Sequence, residues 1–414
     1  MNHDLAPNRT VKKRVPDLAM FGGFPSFGTP LHVGRPNIGA RRQLVHRIDA
    51  ILDSQWLTNN GPCVQEFEAR IGEMVGVEHC IAMCNATVAL EIAIRALNLT
   101  GEVIIPSFTF VATAHALQWQ QITPVFCDID ANTFNIDPGK VEQLITERTT
   151  GILPVHVYGR PCAIGELEAI ADRRGLSLLF DAAHALGCRY RGRMIGSFGN
   201  AEILSFHATK FVNSGEGGAV VTNDHRLAEK IRLMRNFGFC GYDTVITLGM
   251  NGKMNELCAA LGLTNLESIA EFTDTNRRNF ERYEMQLAGL AGVHLVPYDE
   301  QQTPNYQYVV CRIDAAKAGL TRDQLVDLLH AENILSRKYF SPGVHRMEPY
   351  RSSHGDKAFV LPATEAVAAE VLVLPTGTAI SESDIEAICG ILHFAVANSD
   401  EIARALYKRQ IDRG

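Results

Sequence analysis

Seven short apolar runs, hardly broken by polar residues and spaced by helical stretches, constrain this chain more than any other feature. They are CIAMC (80–84), EVII (102–105), TPVFC (123–127), GILPV (151–155), LSLLF (176–180), AEILSF (201–206) and GAVVT (218–222). ATVALEIAIRAL follows the first, FVATAHALQW the second, and further helical segments lie near 163–174 and 225–236. A strand with one wet face alternates apolar and polar residues, whereas a run without alternation is covered on both faces. The expected fold is therefore α/β, a doubly wound, mostly parallel sheet reaching to about residue 265.

Flanking segments differ in character. Residues 1–35 are rich in proline and glycine (FGGFPSFGTPLHVGRP) and read as an arm that packs on something else. A large domain is expected over 36–270, opening with two helical faces, Leu44, Val45, Ile48, Ile51, Leu52 and then Val64, Phe67, Ile71, Met74. Beyond it, YQYVVCRI, a helix at 321–332, ENILSRKYF and a last helix near 382–397 suggest a smaller α+β domain over 271–414. A chain of 414 residues has room for both.

Charge and cysteine usage narrow the function classes. The net charge of −7 lacks the basic footprint of a nucleic-acid binder. No apolar run approaches the roughly 18–20 residues of a membrane helix. The N-terminal stretch shows no uninterrupted apolar core or small-residue cleavage site, so no secretory signal is read there. None of the ten cysteines forms a CxxC pair, and several sit inside apolar patterns, which fits buried thiols in a cytoplasmic protein.

In open parallel sheets, ligands bind beyond the carboxyl ends of the strands. The residues following the apolar runs are Asn85-Ala86-Thr87, Pro106 through Phe110, Asp128, His156, Asp181 with His184, and Ser205 through Lys210. Asp181 before AAHAL is also a legitimate helix cap. Lys210 has no acidic neighbour within four residues, and burial would make its amine nucleophilic toward a carbonyl. Asn85-Ala86-Thr87, between strand and helix, reads as a phosphate cradle or a plain cap. SGEGG (214–218) precedes a strand and lacks GxGxxG spacing, so it reads as a tight turn and not a dinucleotide loop. His156, Asp181, His184 and His207 raise a metal site as an alternative, without the HExxH or CxxC companions of a zinc centre. One amine, one carboxylate, an anion cradle and flat side chains (Phe108, Phe110, His184) together match what pyridoxal 5′-phosphate (PLP) requires.

Those residues lie in an ordered set of motifs: QWLTNNGPCVQEFE, PSFTFVATA, PVFCDID, PVHVYGRP, DAAHALG, SFHATKF, GEGGAVVTND and GMNGKMNE. The set resembles the DegT/DnrJ/EryC1/StrS sugar aminotransferases, fold type I PLP enzymes of aspartate aminotransferase architecture. LHVGRPN, SFHATKFVNSGEGG and SPGVHRMEPYRS are most similar to the branch that makes dTDP-4-amino-4,6-dideoxyglucose. The resemblance implies Lys210 as the Schiff-base lysine, Asp181 as partner of the pyridinium nitrogen, and His184 beside the ring. It implies Ala86, Thr87 and Ser205 at the phosphate and Phe110 on the cofactor face. It further implies that Asn251 reaches the cofactor phosphate of the other subunit, and hence a homodimer.

The implied reaction is a ping-pong transfer from L-glutamate to a 4-keto-6-deoxy sugar nucleotide. Arg337, Lys338, His345 and Tyr350 are the expected sugar and diphosphate contacts. Alternatives are amination of a 3-keto sugar nucleotide, a PLP-dependent sugar dehydratase (whose family members carry histidine in place of the lysine), a metal hydrolase and a non-catalytic regulator. Two positions depart from the family pattern. Asn85-Ala86-Thr87 stands for Ser-Gly-Thr, which narrows the backbone angles available, and Lys253 stands for an arginine.

Overall fold

The computed structural model describes residues 12–353 and 359–411, so residues 1–11 of the expected arm lie outside the described residues. The seven apolar runs form one seven-stranded sheet: β1 (His79–Met83), β2 (Glu102–Pro106), β3 (Thr123–Cys127), β4 (Thr149–Ile152), β5 (Ser177–Asp181), β6 (Ala201–Ser205) and β7 (Gly218–Thr222). Their spatial order is β1-β7-β6-β5-β4-β2-β3, and β7 alone runs antiparallel to its neighbours.

Successive strand residues feed two cores. Ile104, Leu178, Phe180 and Leu204 point into one, while Ile105, Leu179 and Ile203 point into the other. That period of two, with apolar residues at both phases, is why the sequence runs show no polar alternation. The helix Pro62–Val75 closes one face with Val64, Phe67, Ile71 and Val75; it starts on proline and ends on Gly76, whose φ of 74° suits a left-handed cap. The helix Arg41–Ser54 behaves otherwise. Only Ile51 of its apolar face is buried, and Val45 and Leu52 remain 47% and 56% exposed.

A second unit is built on an antiparallel sheet of β8 (Val293–Leu295), β9 (Val309–Ile313) and β10 (Val371–Leu374). The helices Arg322–Ala331 and Glu382–Ala397 cover it. Val15, Leu18, Phe27 and Leu31 of the N-terminal segment belong to the same core, and Leu31–His32 pairs parallel with Ile334–Leu335. Buried Glu332 fastens that segment by accepting the Ala19 and Ser26 N–H groups and pairing with Lys12 Nζ at 2.8 Å. The helix Ile269–Leu287 joins the two cores, with Phe272 in one and Phe280, Tyr283 and Leu287 in the other. Among the described residues no helix is long and apolar enough to cross a membrane, and all ten cysteines are free thiols.

Candidate active site

Beyond the carboxyl ends of β1, β5 and β6 lies a cavity of about 650 Å³, closed on its far side by the smaller unit. The topology assembles it. Because β7 is antiparallel, its first residue, Gly218, pairs with both Met83 and Ser205, the last residues of β1 and β6. The SGEGG turn thereby reaches the cavity, where Glu216 lines the wall. A turn before a parallel strand would lie at the opposite end of the sheet, so reading SGEGG as a mere turn missed this contribution.

At the end of β1 the backbone of Asn85 is extended, and its side chain caps the helix Ala86–Ala96 by accepting the Val88 N–H at 2.9 Å. A helix start leaves further N–H groups without intrahelical partners, and Ala86 and Thr87 carry theirs at the cavity wall. Ala86 is not among the residues with positive φ, so alanine is accommodated there without strain. Close approach is instead concentrated at Gly218. A Cβ there would lie 2.5 Å from the Ala86 nitrogen.

Asp181 ends β5 and faces the cavity. One carboxylate oxygen accepts the Ala183 N–H at 3.1 Å, and the other accepts the Thr113 hydroxyl at 2.9 Å. Burial raises its pKa, while those two donors, Lys210 and His156 oppose the rise. Lys210 stands across from it, deep in the protein with part of its surface open to the cavity. Burial pulls its ammonium down to about 8, against the opposing pull of the Asp181 charge. Its amine is therefore substantially neutral just above physiological pH.

His184 is held well below the usual histidine range by burial and then by the Lys210 charge. Its Nδ1 accepts the Tyr158 N–H at 3.2 Å, so the neutral ring carries its proton on Nε2. The ring is parallel to that of Phe340, 5.8 Å away. Ser205 is buried at the end of β6, and Phe110, 57% exposed, stands at the mouth just before the helix Val111–Gln118.

The second unit supplies Arg337, Tyr339, Phe340 and Tyr308. Arg337 is tied by backbone hydrogen bonds to Val373 on β10, and its guanidinium lies 4.7 Å from the Tyr339 ring centroid. No described carboxylate pairs with it.

The other three expected sugar contacts lie elsewhere. Lys338 turns away to Asp323 at 2.9 Å. His345 is buried between the Ser107 hydroxyl at 2.6 Å and Glu365 at 3.2 Å. Tyr350 is buried with its hydroxyl 2.7 Å from His115 Nδ1. None of these three lines the cavity. His345 and Tyr350 are taken by polar partners inside the fold and Lys338 by a carboxylate at the surface, and no local sequence signal announces such partners. Asn251 is exposed and bridged to Asn236 by its backbone, outside this chain's own cavity. Among the described residues no three of His, Cys, Asp and Glu gather as a metal site, and His156 is sealed beneath the sheet with Glu202. Sequence reasoning placed Thr109 beyond a strand end but missed Thr113 and Tyr308. Thr113 had a usable signal, since it lies in the helix that follows the cavity-facing PSFTF.

The chain as a whole is similar to known proteins. Residues 40–393 match the DegT/DnrJ/EryC1/StrS aminotransferase family. A dTDP-4-amino-4,6-dideoxy-D-glucose transaminase of Escherichia coli is 38% identical over 366 residues, covering 87% of this chain and 97% of that protein. A GDP-perosamine synthase of Caulobacter vibrioides is 36% identical, covering 82% and 92% respectively. The crystal structure of DesI in the presence of its TDP-sugar product superimposes with a TM-score of 0.91 at 49% identity, covering 95% of this chain and all of that one.

Proposed function

Given that the chain belongs to the DegT/DnrJ/EryC1/StrS family of PLP-dependent sugar aminotransferases, we propose that it transfers the amino group of L-glutamate to dTDP-4-dehydro-6-deoxy-D-glucose. The products are 2-oxoglutarate and dTDP-4-amino-4,6-dideoxy-D-glucose. The named activity of the Escherichia coli relative and the TDP-sugar product of DesI support this substrate class. One observation carries the reaction type: the depressed amine of Lys210 and the buried carboxylate of Asp181 face one cavity that a helix start also enters.

The residues present fit PLP. The Ala86 and Thr87 N–H groups with Ser205 would hold its phosphate, Asp181 its ring nitrogen, His184 and Phe110 its ring, and Lys210 its aldehyde carbon. When bound, PLP supplies a carbonyl that amines can join and a pyridinium ring that takes up charge from a deprotonated carbon. Asp181 keeps the proton on that ring nitrogen through a charge-assisted hydrogen bond. With a pKa of about 8, Lys210 can both take a proton from the donor's Cα and return one to the sugar's C4 near neutral pH. His184, neutral, offers a flat face without adding charge beside the ring. Arg337, a cavity cation that no described carboxylate pairs with, is suited to bind an anion, either the carboxylate of glutamate or the diphosphate of the sugar nucleotide.

We further read the protein as a cytoplasmic homodimer in which Asn251 serves the partner's site. Support comes from apolar side chains left in water: Val45 and Leu52 on the first helix, and Tyr242, Val245, Ile246 and Leu248 in the segment leading to Asn251. Light scattering should give twice the chain mass. A mixture of Lys210→Ala and Asn251→Ala proteins should regain activity, because one hybrid site is intact; no regain would contradict shared sites.

The deciding assay incubates PLP-loaded protein with L-glutamate and a panel of keto sugar nucleotides, read by mass. Amination of the dTDP-linked 4-keto sugar with matching 2-oxoglutarate is expected. Amination of a 3-keto or GDP-linked sugar in its place would overturn the substrate assignment.

A further inference from the structure

Thr113 and Thr109 form a chain of hydroxyls that ends on the Asp181 carboxylate. Thr113 is fully buried in the first turn of the helix Val111–Gln118, and its Oγ1 lies 2.9 Å from Asp181 Oδ2. Its Oγ1 also lies 3.1 Å from Thr109 Oγ1, and Thr109 reaches the cavity wall. A hydroxyl has one proton to give. If that of Thr113 goes to the carboxylate, the bond from Thr109 must run inward, and the chain has a single direction: Thr109 donates to Thr113, which donates to Asp181. With Oδ1 engaged by the Ala183 N–H, each oxygen retains one lone pair for the cavity.

We propose that Thr113, backed by Thr109, is a positioning residue: its hydroxyl fixes the Asp181 carboxylate and keeps it ionised toward the cavity. The inference rests on the aminotransferase reading for its purpose and on the geometry alone for its effect on Asp181. The other groups around that carboxylate leave the hydroxyl as a needed donor. Lys210 faces it across the cavity, and His184 is neutral. Behind it, buried His156 has Nδ1 occupied by the Cys162 N–H and turns Nε2 toward Glu202 Oε2, 3.4 Å away. The Cys162 thiol is kept protonated by burial. Backbone and hydroxyl donors therefore hold the Asp181 side chain itself.

The test is Thr113→Val, which keeps the shape and removes the hydroxyl, beside Thr113→Ser, which returns it. Infrared titration of the cofactor-free protein follows the protonated carboxyl band of Asp181, identified by its absence in Asp181→Asn. A hydrogen bond to a charged group corresponds to an upward shift of the midpoint by about one to two pH units in the valine variant. Serine should restore the midpoint, and Thr109→Val, which removes only the outer link, should move it less. In the loaded enzyme the acid limb of kcat/KM for L-glutamate should rise by the same interval, because the ionised form is the working one. An unchanged midpoint in Thr113→Val overturns the inference, whether or not PLP binds. Failure of the wild type to bind PLP, with the midpoint shifted as expected, overturns the proposed function and leaves the positioning role standing.

Discussion

The two walls of the cavity differ in what fixes their residues. On the large-sheet side, Thr87, Asp181 and Ser205 lie at or just past the carboxyl ends of buried strands, with Lys210 a short turn beyond. Strand period and parallel topology place them there almost irrespective of side chain. The other expected contacts follow the strands of the smaller unit: Arg337 and Lys338 just after Ile334–Leu335, His345 in the single turn Val344–Arg346, and Tyr350 at the start of the short helix Tyr350–Ser353, packed in the core of the large sheet. Only Arg337 reaches the cavity, because each of the others finds a buried or paired partner first. Strand ends can be located by counting, but loop residues are located by whichever polar group meets them.

That contrast can be broken, beginning with the largest effect. Replacing Asp181 by Asn on the sheet wall should lower kcat by about a hundredfold, in line with loss of a charge-assisted hydrogen bond, while PLP still binds. Near-normal turnover would mean that the strand end does not mark the chemistry. Gly218→Ala should come next, since its Cβ would sit 2.5 Å from the Ala86 nitrogen and push the cradle open. Thermal denaturation should report a loss of about 1–3 kcal/mol, and a PLP titration should show weakened binding.

Smaller effects separate Arg337, which lines the second wall, from the expected contacts that do not. Arg337→Ala should raise KM by about tenfold or more for at least one substrate, whereas Lys338→Ala should leave both KM values within about twofold. Equal effects would erase the distinction between them. Tyr350→Phe should be the mildest, costing about 1 kcal/mol of stability through the bond to His115, with kcat and KM unchanged. A change in KM there would restore Tyr350 to the site.

Much of this was legible in the sequence, and for identifiable reasons. The seven runs gave every strand of the main sheet, because burial on both faces leaves a compositional mark that needs no partner to be read. Lys210 stood out because an isolated lysine just beyond a buried strand is rare. The antiparallel turn of β7 was not legible, since GAVVT has the composition of its parallel neighbours, and with it Glu216 was lost. Tyr308 was equally hidden, because it belongs to the other unit and only folding brings it beside His184. Leu44, Val45, Ile48, Ile51 and Leu52 mark a helix with a clear apolar stripe, yet only Ile51 of it is buried, and Val45 and Leu52 remain exposed. Periodicity marks an apolar face and does not say what the face packs against.

The central claim is that the amine of Lys210 joins the cofactor. Borohydride reduction of the PLP-loaded protein, followed by digestion and peptide mass mapping, tests it most directly. A pyridoxyl group fixed on the peptide containing SFHATKF, at Lys210 and at no other lysine, is the expected result. An unmodified Lys210 in protein that has bound PLP would contradict the account.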